Sequence, residues 1–348
     1  MFDPASIKIT QEILNLIAGI DEFKGRWEAL GSLAPDTISR LRKVATIESV
    51  GSSTRIEGAR LSDAQVEALL AGLEPGSFRT RDEEEVAGYA EAMNTVFDSW
   101  DRIPMDENHI KQLHGILLKF SSADEPHRGE YKKQPNHVEA FDPEGRSLGI
   151  VFETASPFET PLLMEELVPG IASELEKGML HPLLVIAAFI VHFLAIHPFK
   201  DGNGRLSRIL TTLFLLRRGY RYVPYASMER IVEDSKDSYY RALRTAQRGI
   251  RTSEEDLGEW VLFFLRTLDR QVKVLTGKIE QEKVLEVLPA LSEQLLGIAR
   301  DRGRLTISEA VKMTGANRNT VKVHLRSLVE EGRLRLHGKA KGAWYSAI

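Results

Sequence analysis

The chain has 348 residues and not one cysteine. That absence excludes disulfide staples, thiolate nucleophiles and cysteine zinc sites in a single stroke. Long apolar runs are missing too: the longest, Leu183 to Ile196, covers 14 residues and carries His192 inside it. A membrane-spanning helix needs about 20 apolar residues, so no membrane segment is expected. The opening MFDPASIKIT has an early Asp3 and Pro4 and no basic stretch before an apolar core. It does not read as a secretory signal, and a cytoplasmic location is the expectation. Net charge is small as well, at −4, although it is unevenly spread. Residues 300–348 hold eleven Lys and Arg against four Asp and Glu, which leaves the rest of the chain acidic. Hydrophobic residues make up 43% of the sequence, enough for two or three cores in a chain of this length.

What is present is concentrated in HPFKDGNGRLSR, from His197 to Arg208. The apolar run before it reads as a buried helix that ends near His197, because the residue before Pro198 is biased out of the helical region. Gly202 and Gly204 flank Asn203, and glycine admits positive φ and close backbone approach. Such a turn can aim several N–H groups inward as an anion cradle. A second helix, from about Arg205 to Arg217, adds its positive end. His197 can take a proton from an attacking hydroxyl near neutral pH. Asp201 is a hard oxygen ligand suited to a Mg²⁺ that bridges phosphates. The amide of Asn203 can reach a phosphate oxygen. Arg205 and Arg208, three apart on one helical face, present forks that match phosphate oxygens. The string therefore points to phosphoryl or nucleotidyl transfer.

It also resembles the signature of the Fic family, HPFxDGNGRxxR, at every specified position. The resemblance implies transfer of AMP from Mg·ATP to a protein hydroxyl. His197 is then the base, Asp201 the metal ligand, and Gly202, Asn203, Gly204, Arg205 and Arg208 the nucleotide site. It further implies that Gln134 to Phe152, broken by Pro135, Pro143, Gly145 and Gly149, forms a hairpin flap that holds the target segment by strand addition. Just before it, Tyr131 is followed by Lys132, where arginine is the commoner residue of the family.

A second string, STRIEG from Ser53 to Gly58, falls near the end of a helical stretch that begins around Pro35. Ser53 and Glu57 lie four apart and share a face, while Gly58 can end the helix. This resembles the inhibitory motif [S/T]xxxE[G/N] of Fic proteins with an N-terminal inhibitory helix. The resemblance implies that Glu57 pairs with Arg208 and removes it from the γ-phosphate.

The expected fold is mainly α. It comprises an N-terminal helical region (residues 1–105) with the inhibitory motif, a Fic catalytic domain (106–270) with its flap, and a small C-terminal α+β domain (282–348). In the last, TISEAVKMTGANRNTVKVHLRSLVEEGRL reads as two short helices joined at Thr314-Gly315 and followed by a longer amphipathic one. The alternating RLRLHGKAKGAWYSAI then reads as a two-stranded wing. The region resembles a winged helix-turn-helix. Arg318, Asn319, Lys322 and Arg326 would line its recognition helix, with Lys339 and Lys341 at the wing, so DNA is one partner and a protein surface another.

The leading functional expectation is a protein adenylyltransferase acting on a protein substrate held at the flap. Self-modification and a homodimer are compatible with the sequence. Two alternatives stand beside it. Glu57 could orient water for hydrolytic removal of AMP, or the C-terminal domain could make the chain a DNA-binding regulator.

Overall fold

The computed structural model describes residues 6–29, 35–72, 78–141, 147–252, 254–286, 289–338 and 342–348. The chain divides into two compact units, residues 1–276 and 277–348. The N-terminal helices and the signature string thus share one unit.

Its elements are the helices α1 (Gln11–Ala29), α2 (Pro35–Ile56), α3 (Asp63–Ala71), α4 (Arg81–Ser99) and α5 (Glu107–Leu117), then a hairpin of β1 (Val138–Phe141) and β2 (Ser147–Phe152). After it come α6 (Thr160–Lys177), α7 (Pro182–Ile196), α8 (Asn203–Arg217), α9 (Met228–Asp234), α10 (Lys236–Arg248) and the long α11 (Gly258–Glu286), whose residues up to 276 belong to this unit. Local signals set several of these ends. Pro182 occupies the first turn of α7 behind a His181 cap, where its missing N–H costs nothing. Ser62 and Gln65 form a reciprocal capping box on α3. Thr80 and Asp106 cap α4 and α5 through their side-chain oxygens.

α7 is the axis of the unit. Every residue from Leu183 to Ile196 is buried, so it is enclosed on all sides rather than lying at the surface on one apolar stripe. α6, α8 and α10 pack against it, and the Trp260 indole of α11 donates to Ala187 O at 2.7 Å. α2 crosses the same body, in contact with α4, α8 and α9. α4 and α5 come together at Gly88, where an added Cβ would collide with the Leu117 carbonyl. The β1–β2 pair is antiparallel, from Val138 opposite Phe152 to Phe141 opposite Ser147, with two irregularities that shift the register. This is the hairpin expected between Gln134 and Phe152. Its turn, with Pro143 and Gly145, lies outside the described residues.

The second unit contains α12 (Ala290–Arg302), α13 (Ile307–Thr314), α14 (Arg318–Glu330) and an antiparallel pair, β3 (Leu334–His337) and β4 (Trp344–Ala347). One expectation is corrected here. Residues 306–330 hold two helices, not three, because Asn317 caps α14 two residues after the left-handed Gly315. The third helix of the unit, α12, lies upstream. Leu295, Ala299, Ala310, Val321, Leu325, Leu328 and Leu334 form its own apolar core. Lys339 and Lys341 lie outside the described residues.

Candidate active site

The signature string forms the turn between α7 and α8. α7 stops because His197 adopts left-handed backbone angles (φ 53°, ψ 59°), a conformation uncommon for residues with a Cβ. Gly202 turns the chain again at φ 77°, and α8 begins at Asn203, two residues before the expected start. A side chain at Gly202 would be strained by that φ and would press on Leu117.

One contact fixes the tautomer of His197. Its Nδ1 lies 3.3 Å from Leu194 O, and a carbonyl can only accept, so Nδ1 carries the proton and Nε2 is the acceptor. Burial lowers the pKa of this imidazole to about 4, with the positive charge of Lys132 adding to the effect. It is neutral at pH 7.

Asp201 sits within a web of donors. The Gly202 N–H donates to Oδ1 at 2.7 Å, while Arg205 Nη2 and Arg81 Nη2 donate to Oδ2 at 3.1 and 2.8 Å. Burial works against its charge, but Arg205, the Gly202 N–H and Arg81 outweigh it and hold the carboxyl below its usual range. A Mg²⁺ commonly takes only one or two carboxylates, with phosphate oxygens and water completing its shell. Asp201 fits that pattern. Among the described residues no cluster of three or more His, Cys, Asp or Glu offers a metal cage.

The remaining residues of the string divide their roles. Asn203 is buried, with Oδ1 accepting from Phe199 N at 2.9 Å and Nδ2 donating to Phe199 O at 2.7 Å. Its amide, expected to reach a phosphate oxygen, instead closes the turn on itself. Arg205 meets Glu85 of α4 at 3.0 Å and leaves its buried Nε without a hydrogen-bond acceptor. Arg208 turns the other way, toward the end of α2. Its Nε donates to Ser53 Oγ at 2.8 Å and its Nη2 to Ser53 O at 3.1 Å and Glu57 Oε1 at 2.7 Å. Gly204 makes room for that carboxylate, since a Cβ there would collide with Glu57 Oε1. Glu57 therefore lies against the first turn of α8, where an anion is favoured. Gly58 (φ 109°) takes no part in these contacts and turns the chain away after α2.

Several residues at the site carry no sequence signal. His114 of α5 is fully buried, stacks on Phe199 with ring centroids 3.8 Å apart, accepts from Gly129 N and donates to Asp201 O. Arg55 anchors the end of α2 through Glu233 at 2.6 Å and Asp63 at 3.0 Å. These partners stand from 8 to 178 residues apart along the chain, at no helical or strand period, so no spacing rule could connect them.

Comparison with known proteins places two stretches of the chain beside described families. Residues 104–215 match the Fic/DOC family, and residues 281–345 match a family described as a bacterial protein of unknown function, DUF977. The chain is 28% identical over 248 residues to protein adenylyltransferase Fic of Drosophila melanogaster, covering 69% of this chain and 46% of that protein. The Drosophila grimshawi counterpart is 27% identical, with 47% of its length covered. The chain thus spans a little under half the length of these relatives. Among solved structures, a Fic family protein from Desulfovibrio desulfuricans superposes over 100% of this chain and 98% of its own, with a TM-score of 0.64 and 25% identity. A Fic domain containing signaling protein from Bacteroides thetaiotaomicron superposes over 76% of this chain and 97% of its own, with a TM-score of 0.62 and 25% identity.

Proposed function

Since residues 104–215 match the Fic/DOC family, we propose that this chain is a protein adenylyltransferase that moves AMP from ATP to a side-chain hydroxyl of a protein, and that Glu57 restrains it. The observation that carries this reading is the state of His197. Its Nδ1–H is committed to Leu194 O, which leaves Nε2 as acceptor at the turn that opens α8. In the reaction, the incoming hydroxyl gives its proton to Nε2 as its oxygen bonds to the α-phosphorus, and the bond to pyrophosphate breaks. The first turn of α8 receives the phosphate charge. Arg205 and Arg208 supply guanidinium donors to the phosphates, Arg208 once Glu57 has left it. A Mg²⁺ held by Asp201, when bound, supplies charge neutralisation across the phosphates.

The flap is the proposed target-binding edge, because strand addition uses backbone hydrogen bonds and tolerates varied sequences. The C-terminal unit carries a separate reading, contact with nucleic acid, supported by Arg318, Asn319 and Lys322, exposed on α14. A DNA-mobility assay over a salt series tests it, since phosphate contacts weaken steeply with salt.

The main test is incubation with α-labelled ATP. Label on protein from the Glu57→Gly chain, and none from Glu57→Gly/His197→Ala, is the expected result. Loss of AMP from a pre-labelled protein, dependent on Glu57, would make the hydrolytic alternative the correct one. No transfer by any variant with a full set of lysate proteins would overturn the proposal.

A further inference from the structure

The end of α7 leaves a row of carbonyls that its own helix cannot satisfy, as any helix C-terminus does. Here the two legs of the flap hairpin satisfy them in succession. Ala155 N donates to Ala195 O at 3.3 Å. The Lys132 ammonium donates to Ile196 O at 3.0 Å. Asn136 Nδ2 reaches His197 O at 3.3 Å and Phe199 O at 2.5 Å. Between these, the backbone N–H of Lys132 donates to Pro198 O at 2.9 Å. Five consecutive carbonyls, from Ala195 to Phe199, are thus held by the residues that lead into and out of the flap.

The donors are themselves interlocked. Lys132 Nζ also donates to Asn136 Oδ1 at 2.8 Å and to Thr154 Oγ1 at 3.0 Å. Lys132 is 4% exposed, and these three hydrogen-bond acceptors are neutral. A buried ammonium is costly unless it is hydrogen-bonded, and this one uses its three donors on one leg, the other leg and the catalytic turn. A cation at a helix C-terminus also gains from the helix dipole. Meanwhile His197 holds a left-handed backbone that needs outside support to persist.

We infer that Lys132 and Asn136 are positioning residues, which fix the backbone of His197 to both legs of the flap so that its Nε2 is presented in one orientation to a target hydroxyl. The inference rests on the proposed reading of His197 as the base. It adds a reason for the flap to be more than a docking edge: the segment that grips the target and the turn that carries the base are one hydrogen-bonded body. A network of this kind is worth more than its separate bonds, since each member orients the next.

The test uses the full chain with ¹⁵N-labelled histidine, with the His197 signals assigned by difference against His197→Gln. Wild type is expected to show the Nδ1–H tautomer alone. Lys132→Met should show a mixture, and Lys132→Arg, which keeps the charge and the donors, should restore the single form. In the Glu57→Gly background, Lys132→Met should lower kcat for labelled-AMP incorporation by about 10- to 100-fold, the scale of a misplacement near 1 Å, with Mg·ATP affinity by calorimetry unchanged. Lys132→Arg should recover most of that rate. If Lys132→Met fails to fold, Asn136→Ser, at a half-buried position, takes its place with the same expected readings. A folded variant with the wild-type tautomer, or with the parental kcat, overturns the inference. If the Glu57→Gly parent itself transfers no AMP, the functional reading fails, while the tautomer measurement still decides whether Lys132 positions His197.

Discussion

Arg208 Nη2 donates to Glu57 Oε1 at 2.7 Å, joining α8 to the residue that follows α2 across 151 positions of sequence. Arg208 is almost wholly enclosed, whereas the Glu57 side chain is 32% exposed, so the carboxylate is the partner that can leave. Burial opposes the Arg208 charge, but Glu57, with Tyr239 and Tyr89 beside it, more than offsets this, so the guanidinium stays protonated. Charge-assisted hydrogen bonds are worth about 1.5 to 3 kcal/mol, or roughly tenfold to a hundredfold in a two-state population. Glu57→Gly should therefore raise AMP transfer by about that factor. Arg208→Ala should stay inactive in either background. Rates of labelled-AMP incorporation for the four chains at matched ATP decide it, and equal rates for wild type and Glu57→Gly would refute the restraint.

Gly204 offers a second route to the same contact. An added methyl displaces the Glu57 carboxylate, the end of a flexible side chain, so Gly204→Ala should cost the wild-type fold at most about 1.5 to 3 kcal/mol, the worth of the charge-assisted contact with Arg208 that it breaks. In Glu57→Gly the obstacle is gone. There the same substitution should be neutral or stabilising by up to about 1 kcal/mol, because alanine is the better helix former. Thermal unfolding of the four chains measures the coupling, and a penalty that persists in Glu57→Gly would show that some other contact dictates the glycine.

Arg81 holds the carboxylate proposed to bind Mg²⁺, at 2.8 Å, and its own side chain is 55% exposed. An exposed pair is worth only about 0.2 to 1 kcal/mol. Removing it should relieve competition with the metal. Arg81→Ala in the Glu57→Gly background is expected to lower the Mg²⁺ concentration for half-maximal transfer by roughly 1.5- to 5-fold, with Asp201→Ala losing the metal response. A higher Mg²⁺ requirement in Arg81→Ala would mean that the arginine helps to bind the metal-nucleotide instead.

The pH dependence follows from His197. A base must be unprotonated, and burial lowers the pKa of this imidazole to about 4. Its basic form is therefore complete at neutral pH and is lost only as pH falls through that value. An ordinary imidazole, with a pKa near about 6.5, would already be mostly protonated at pH 5. Transfer by Glu57→Gly should thus retain most of its kcat/KM at about pH 5. An acid limb centred near about 6.5 would place His197 in a more open setting than the one seen here.

Much of the fold was legible along the chain, because the signals involved are short-range. α7 is a continuous apolar run behind a proline, and its end is dictated by the His197-Pro198 pair. The hairpin betrayed itself by interruptions in helical periodicity, and the last turn of α2 by the Ser53-to-Gly58 spacing. His197, Asp201, Arg205 and Arg208 lie within twelve residues, so the sequence determined that they would share one turn between two helices. Which way each side chain points was decided by tertiary packing. Asn203 spends its amide on Phe199, an enclosed ring that His114 covers from α5. Arg205 and Arg208 start from one helical face yet part, because Glu85 of α4 stands on one side and Ser53 and Glu57 on the other. Likewise the carbonyls that follow α7 find Lys132 and Asn136 only because the flap returns to that helix end. Helical spacing and turn chemistry are local and can be read from neighbours in the chain, whereas a charge buried at low dielectric takes its partner from whatever element the fold brings alongside it.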